Sequence, residues 1–486
     1  MPLRIVLVRH GLSSFNLERR IQGRDDLSTL TDQGVEQAQR TGAALAEVPL
    51  AAAYSSPLRR ARHTAEALLE HQGQGLAPTF DDDLLEIDLA PWSGLRLDEL
   101  RERDPEGERL WRQAPEDLEL RRADGATYRP LPELMEQAGR FLATVLERHG
   151  DSLDPGAPPR TVLVVAHNAI LRCLLLRLLG LSAAGFRRLR VDNTSISVLN
   201  LSRSPGGVLE VQIESLNTTA HLGRPLPPAG PGPRLLLVRH GETDWNREGR
   251  FQGQIDIPLN DNGLAQAEAA RQFLADVPIQ RAWSSVMARP RRTAEVILEA
   301  HPTVELATTE GLMEIGHGLW EGRLEREIAG EWPELLADWK SAPHTVQMPQ
   351  GETLQDVWDR SLASWDAIAR SVHDGETALV VAHDAVNKTI LCALLGLSPA
   401  DIWAVKQGNG GVTVIDYPQG AAAGPVVACL NLTHHLGGVL DRTAAAPSEC
   451  PRTPRDGPSA DAPPFRFPAA ARGLPAGGAG PAGPPG

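Results

Sequence analysis

Leu3-Arg4-Ile5-Val6-Leu7-Val8-Arg9-His10-Gly11 and Arg234-Leu235-Leu236-Leu237-Val238-Arg239-His240-Gly241 are two copies of one phrase. Each is an apolar run that stops abruptly at Arg-His-Gly. A short, continuous, leucine-rich or β-branched run reads as a buried central strand. The glycine permits a tight turn after it. A histidine beside an arginine therefore stands at the C-terminal end of a buried strand, where open α/β sheets bind ligands. One copy alone would be a strand end with two polar residues. Two copies with matching surroundings are a repeat.

The surroundings do match. The offset is 230 from His10 to His240, Asn16 to Asn246 and Gln22 to Gln252. It is 229 at Arg60/Arg289 and Thr64/Thr293, 228 at Glu86/Glu314, and 216 at His167/His383 and Asn193/Asn409. The loop-like run from Gly150 to Pro159 largely accounts for the last jump. Repeats this long imply two domains rather than solenoid units. The expected boundaries are 1–222 and 234–440, each able to fold alone. The Pro/Gly-rich segment 223–233 reads as a semi-rigid linker, and 441–486, rich in Pro, Ala and Gly, as a disordered tail. Strands alternate with helices in both copies, so the fold class is α/β: two tandem three-layer α/β/α domains, each around a mostly parallel, doubly wound sheet. Pro57 is expected in the first turn of the helix that carries Arg60.

Composition narrows the function. The 486 residues carry a formal net charge of −14, which argues against nucleic acid or an anionic membrane as partner. No apolar run has the ~18 residues of a membrane span, and the N-terminus enters a strand directly, without a signal-peptide pattern. A cytoplasmic location is expected. Of the four cysteines, Cys173, Cys392 and Cys429 read as core thiols, and no motif has metal-ligand spacing. Neither a metal nor a cofactor is expected. The oligomeric state is not legible.

Each copy places Arg and His after one strand, Arg near a helix start after a second, Glu after a third and His after a fourth. Such residues at element ends can converge on one crevice. The set suits phosphoryl transfer, in which cationic donors surround a group of distributed negative charge. Arg9, Arg60 and His167 supply these donors in one copy, and Arg239, Arg289 and His383 in the other. His10 or His240 is the candidate nucleophile, through a neutral ring nitrogen whose tautomer is set by a hydrogen bond at the other nitrogen. Glu86 or Glu314 is placed to protonate the leaving oxygen and then activate water.

Val8-Arg9-His10-Gly11, Arg239-His240-Gly241-Glu242-Thr243, Ser55-Ser56-Pro57-Leu58-Arg59-Arg60-Ala61, Trp320-Glu321-Gly322 and Val165-Ala166-His167 resemble the histidine phosphatase (phosphoglycerate mutase-like) superfamily. The resemblance covers nearly all of both repeats. It implies a phosphohistidine intermediate, no metal and an α/β/α sandwich. It also implies further phosphate or substrate contacts at Asn16, Gln22 and Gly23, and at Asn246, Gln252 and Gly253. The sequence departs from the family pattern at Leu12, where the other copy keeps Glu242. It also departs at Pro91 and Ser93 beside Trp92, at Asn168 and Asp384 after the distal histidines, and at Pro290.

The reading is a phosphatase acting on a small phosphorylated metabolite. The alternatives are a phosphoglycerate mutase, or one catalytic copy with the other as a binding or regulatory module. Glu and distal His are 81 positions apart in the first copy and 69 in the second. Mutases of the family carry a longer insertion there, which favours a phosphatase. Both five-residue sets are intact, which disfavours a purely structural copy.

Overall fold

In the computed structural model, residues 3–73, 75–154, 156–204 and 206–443 are described below. The strands are β1 (Leu3–Arg9), β2 (Ala52–Ser55), β3 (Thr79–Phe80), β4 (Arg160–Ala166), β5 (Ile196–Arg203) and β6 (Leu209–Thr218) in the first repeat. The second has β7 (Arg234–Arg239), β8 (Arg281–Ser285), β9 (Leu306–Thr309), β10 (Thr377–Ala382), β11 (Val412–Asp416) and β12 (Val426–Leu432). The helices that position the sites are α1 (Asp32–Leu45), α2 (Arg59–Leu69), α3 (Pro105–Gln113), α4 (Pro130–His149) and α5 (Asn168–Leu178). Their counterparts are α6 (Asp261–Leu274), α7 (Ala288–Leu298), α8 (Pro333–Ser341), α9 (Leu354–Ser371) and α10 (Asp384–Leu395).

The two repeats share one sheet, in the order β9-β8-β10-β7-β11-β12-β6-β5-β1-β4-β2-β3. Read from the middle outward, the halves mirror each other. In each, four strands run parallel (β1 beside β4, β4 beside β2, β2 beside β3), and the chain then pairs antiparallel twice, β5 on β1 and β6 on β5. The halves meet where β12 lies antiparallel to β6, Leu430 opposite Leu216. Side chains alternate across each strand. Leu3, Ile5 and Leu7 join Leu235 and Leu237 in one core that runs under both halves. Val6 and Val8 face the other way, in a separate cluster with Leu45 and Leu163, and Leu236 and Val238 do the same in the second half.

Local chemistry explains the helices. Thr31 and Asn260 cap α1 and α6 by accepting from the amides of Gly34 and Gly263. These helix starts press on the turns after His10 and His240. A Cβ on Gly11 would lie 2.3 Å from the Gly34 carbonyl oxygen, and one on Gly241 2.3 Å from that of Gly263.

Several expectations shift. Pro57 precedes the first turn of α2, which starts at Arg59 with Leu58 as its N-cap. In the counterpart helix α7, Pro290 does sit inside the first turn. The extra length of the first repeat is divided in two. The offset is 228 at Pro105/Pro333, 222 at His149/Ser371 and 216 at His167/His383. Half therefore precedes the end of α4, where the first repeat has a hairpin of Leu120–Arg121 and Thr127–Tyr128. At the expected semi-rigid linker, Arg234 binds the Pro227 and Pro228 carbonyls while pairing with Asp416 at 2.7 Å. Leu226 packs into the second half's cluster, and Val439 into the first half's. Asp441 is held by Lys406, Asn431 and the Glu214 carboxylate. The rest of the expected tail, with Cys450, lies outside the described residues. Cys173, Cys392 and Cys429 are buried free thiols, and no helix among the described residues is long and apolar enough to cross a membrane.

Candidate active sites

β1 and β7 end in Arg9-His10 and Arg239-His240, and both histidines are buried. His10 Nδ1 lies 2.8 Å from the Gly11 carbonyl oxygen, and His240 Nδ1 lies 2.6 Å from that of Gly241. A carbonyl only accepts, so Nδ1 carries the proton and Nε2 keeps its lone pair. In the second site this tautomer is reported independently: Arg289 Nε donates to His240 Nε2 at 3.3 Å. Burial, then the two arginines, hold both rings well below the ordinary histidine value of 6.5.

β4 and β10 end at His167 and His383, whose rings lie 5.1 and 5.2 Å from His10 and His240. Nε2 of each meets a serine hydroxyl, Ser56 at 2.8 Å and Ser285 at 3.0 Å, and Nδ1 is left without a protein partner. Burial and the neighbouring arginines push these rings well below 6.5 too. Burial and the arginines thus favour the neutral form of the distal histidines, where the sequence suggested cationic donors.

Arg60 and Arg289 are fully buried at the starts of α2 and α7. Their guanidiniums donate to the carbonyls of Gly23 (2.9 Å) and Asp25, and of Gly253 (2.8 Å) and Ile255. Gly23 and Gly253 hold left-handed φ of +53° and +56°, which turns those carbonyls toward the arginine at little cost. Arg9 and Arg239 donate to Val191 and Gln407 carbonyls. Asn16 and Asn246 are tied to the capping Ser13 and Thr243, and Gln22 and Gln252 bond the same hydroxyls.

Glu86 and Glu314 sit against the N-termini of α5 and α10. Glu86 accepts from the amides of Ile87, Ala169 and Ile170, and Glu314 from those of Ile315, Asp384 and Ala385. Burial, then Asp384, raises the Glu314 pKa. A cavity of about 310 Å³ opens onto Arg239, His240, Asn246, Gln252, Gly253 and Glu314. Its outer wall is His317, Trp339, Lys388 and Trp403, with Asp384 between.

Sequence reasoning missed the residues that hold the sets in place. Asn193 and Asn409 donate to the His10 and His240 carbonyls and to Asn16 and Asn246. Thr64 and Thr293 accept the amides of Gly11 and Gly241. Both pairs keep the repeat offset, and that was the signal that could have found them. Ser56 stood in the motif before Arg60 without an assigned role, and Ser285 is its counterpart at the offset of 229.

The model of the Histidine phosphatase superfamily (branch 1) matches residues 5–213 and again 235–430. The chain belongs to the histidine phosphatase superfamily. It is 30% identical over 457 residues to a 2-carboxy-D-arabinitol-1-phosphatase of Triticum aestivum, covering 89% of this chain and 86% of that one. It is 34% identical over 204 residues to phosphoserine phosphatase 1 of Hydrogenobacter thermophilus, covering 42% of this chain and 94% of the relative. It is also 34% identical over 176 residues to a 2,3-bisphosphoglycerate-dependent phosphoglycerate mutase 2 of Gloeobacter violaceus, covering 35% and 80%. As a member of this superfamily the chain is an enzyme of the phosphatase and mutase class.

Proposed function

We propose that the chain is a phosphatase that hydrolyses small phosphorylated metabolites through a covalent phosphohistidine, with one site in each repeat. The observation that carries this reading is the pair of bonds at His240: Nδ1–H donates to Gly241 while Nε2 accepts from Arg289. The ring is neutral, fixed in one tautomer, and its lone pair faces the strongest anion-binding group of the site. A phosphoryl group bound by Arg239 and Arg289 would take the place of that bond.

His240 Nε2 then attacks phosphorus as the ester P–O bond breaks, and Glu314 gives its proton to the leaving oxygen. Burial raises the Glu314 pKa, which favours the protonated form that a general acid needs. The resulting carboxylate next takes a proton from water. The water oxygen attacks phosphorus, the N–P bond breaks, phosphate leaves, and the site is reset. His10, Arg9, Arg60, Glu86 and His167 perform the same steps in the first repeat. The distal His167 and His383 serve as neutral donors through Nδ1, with Nε2 accepting from Ser56 and Ser285.

The experiment is to trap the phosphoenzyme from a radiolabelled ester in acid-free quench. Label is expected on both histidines of the full chain, on one in His10→Ala or His240→Ala, and on neither in the double variant. EDTA should leave turnover unchanged. Acid-labile label in the double variant would refute the nucleophile assignment. Label passing to a second acceptor ester, without release of phosphate, would favour the mutase reading.

A further inference from the structure

The wall beyond the phosphoryl cradle differs between the two sites in a way that fixes charge. α5 and α10 present equivalent positions at the offset of 216: Asn168 with Arg172, and Asp384 with Lys388. Residues four apart share a helix face, so the second member of each pair stands one turn above the group beside the catalytic glutamate. In the second site Asp384 answers both nearby cations, pairing with Lys388 at 2.7 Å and with Arg239 at 3.4 Å. In the first site Asn168 has no charge to give. Its side-chain amide donates to the Val191 carbonyl, the oxygen that also receives Arg9.

A second cation then appears where the other site has an indole. Arg187 stands at the position of Trp403, stacked over Trp111 at 4.8 Å, and Arg172 lies over Phe186 at 5.0 Å. Among the described residues Arg172 makes no hydrogen bond or ion pair, and Arg187 reaches only the Trp111 carbonyl. Glu108, the acid that acts most on Arg187, is already shared by Arg101 and Arg112. Burial, then Arg187, pulls the Arg172 pKa down to about 9, so it stays cationic near neutrality. Around the first site four guanidiniums (Arg9, Arg60, Arg172, Arg187) face Glu86 and Asp192, a formal surplus of two, and Asp192 is already paired with Arg190. Around the second, three cations (Arg239, Arg289, Lys388) face Glu314 and Asp384, a surplus of one. A half-buried guanidinium without a counterion is costly, and an anionic ligand removes that cost.

We infer that Arg172 and Arg187 form a second anion subsite in the first repeat, selecting phosphate esters that carry a further carboxylate or phosphoryl group a few atoms away. The second repeat takes esters whose remainder is uncharged and apolar enough for Trp339 and Trp403. This rests on the phosphatase reading for its catalytic consequence, but its binding test does not.

The test uses the full chain as His10→Ala/His240→Ala, so that ligands persist, with three matched three-carbon esters followed by calorimetry. They are 3-hydroxypropyl phosphate, 3-(phosphonooxy)propanoate and propane-1,3-diyl bisphosphate. One site per chain should bind a dianionic-plus-anionic ester about 10- to 100-fold tighter than the hydroxyl ester. A gap for only one of the two charged esters names the anion. Adding Arg172→Gln or Arg187→Gln should erase the gap, and Arg172→Lys should keep part of it. Lys388→Gln should leave it intact. Equal affinities, or a gap that survives both arginine substitutions or is lost with Lys388, would overturn the inference. Turnover of p-nitrophenyl phosphate by the His240→Ala chain tests the phosphatase reading of the same site separately. If one arginine variant fails to fold, the other carries the test.

Discussion

The two sites keep the same backbone and spend their charge differently. In both, the nucleophile's Nδ1 is fixed by the next carbonyl, the buried arginine by two turned carbonyls, and the glutamate by helix-terminal amides. The differences lie among side chains one contact further out. Arg289 Nε bonds His240, whereas Arg60 Nε has no protein partner. Glu242 braces Arg247 and Asn260, and Leu12 can brace neither counterpart. Glu321 accepts from the amides of Gln254, Ile255 and His317, while Ser93 bonds Asp25 and the Gln22 carbonyl instead. A cradle built from backbone groups is insensitive to sequence, so the chemistry stays while the preference for the rest of the substrate moves.

The largest expected effect separates the two nucleophiles. On p-nitrophenyl phosphate, His240→Ala should remove most of the whole-chain turnover and His10→Ala a minority, because only His240 is already engaged by its arginine. Equal losses would break the comparison at its centre. Next, Glu314→Gln in a His10→Ala chain should slow hydrolysis of an alkyl phosphate by ~10²–10⁴-fold. With nitrophenolate as leaving group the loss should shrink, since that oxygen needs little proton help. The parallel test, Glu86→Gln in a His240→Ala chain, should give the same pattern if the two carboxyls share a role.

The smallest effect concerns the seam. Asn217 and Asn431 are buried, both with left-handed φ of +53° and +52°, and they bond across it to the carbonyls of Ala428 and Glu214. Their other atoms hold the loops of Asp192 and Gly408. Asn217→Ala or Asn431→Ala should cost about 1–3 kcal/mol of stability by leaving buried groups unpaired. Chains 1–222 and 234–440, expressed apart, should each melt lower than the whole and recover on mixing. Halves as stable apart as together would show that the seam contributes nothing.

The sequence made legible whatever is local and repeated. The strand ends at His10, His167, His240 and His383 follow from apolar runs that stop at a histidine, and Arg60 and Glu86 follow from their order between those runs. What stayed hidden depends on partners remote in the chain. Nothing in Leu209–Thr218 says that its free edge takes Val426–Leu432 rather than water, because edge pairing has no signature of its own. The charge preference of His167 and His383 stayed hidden for a related reason: burial among arginines lowers their pKa, and a motif does not contain that burial. The walls at Trp111, Trp339, Arg187 and Trp403 come from segments whose pattern is helical but whose direction is set only by packing.

The seam has a consequence for how such a molecule changes over time. In a dimer of identical chains joined about a two-fold axis, every substitution enters both faces at once, and the contact must tolerate the pair. Here the counterparts Ala428 and Glu214, or Asn217 and Asn431, are encoded separately. Either face can therefore be altered while the other holds the joint closed. Each nucleophile is linked to that joint through one short loop, Asn193 to His10 and Asn409 to His240. A covalent duplicate is thus free to tune one pocket through its neighbour's contribution without paying for the same change twice.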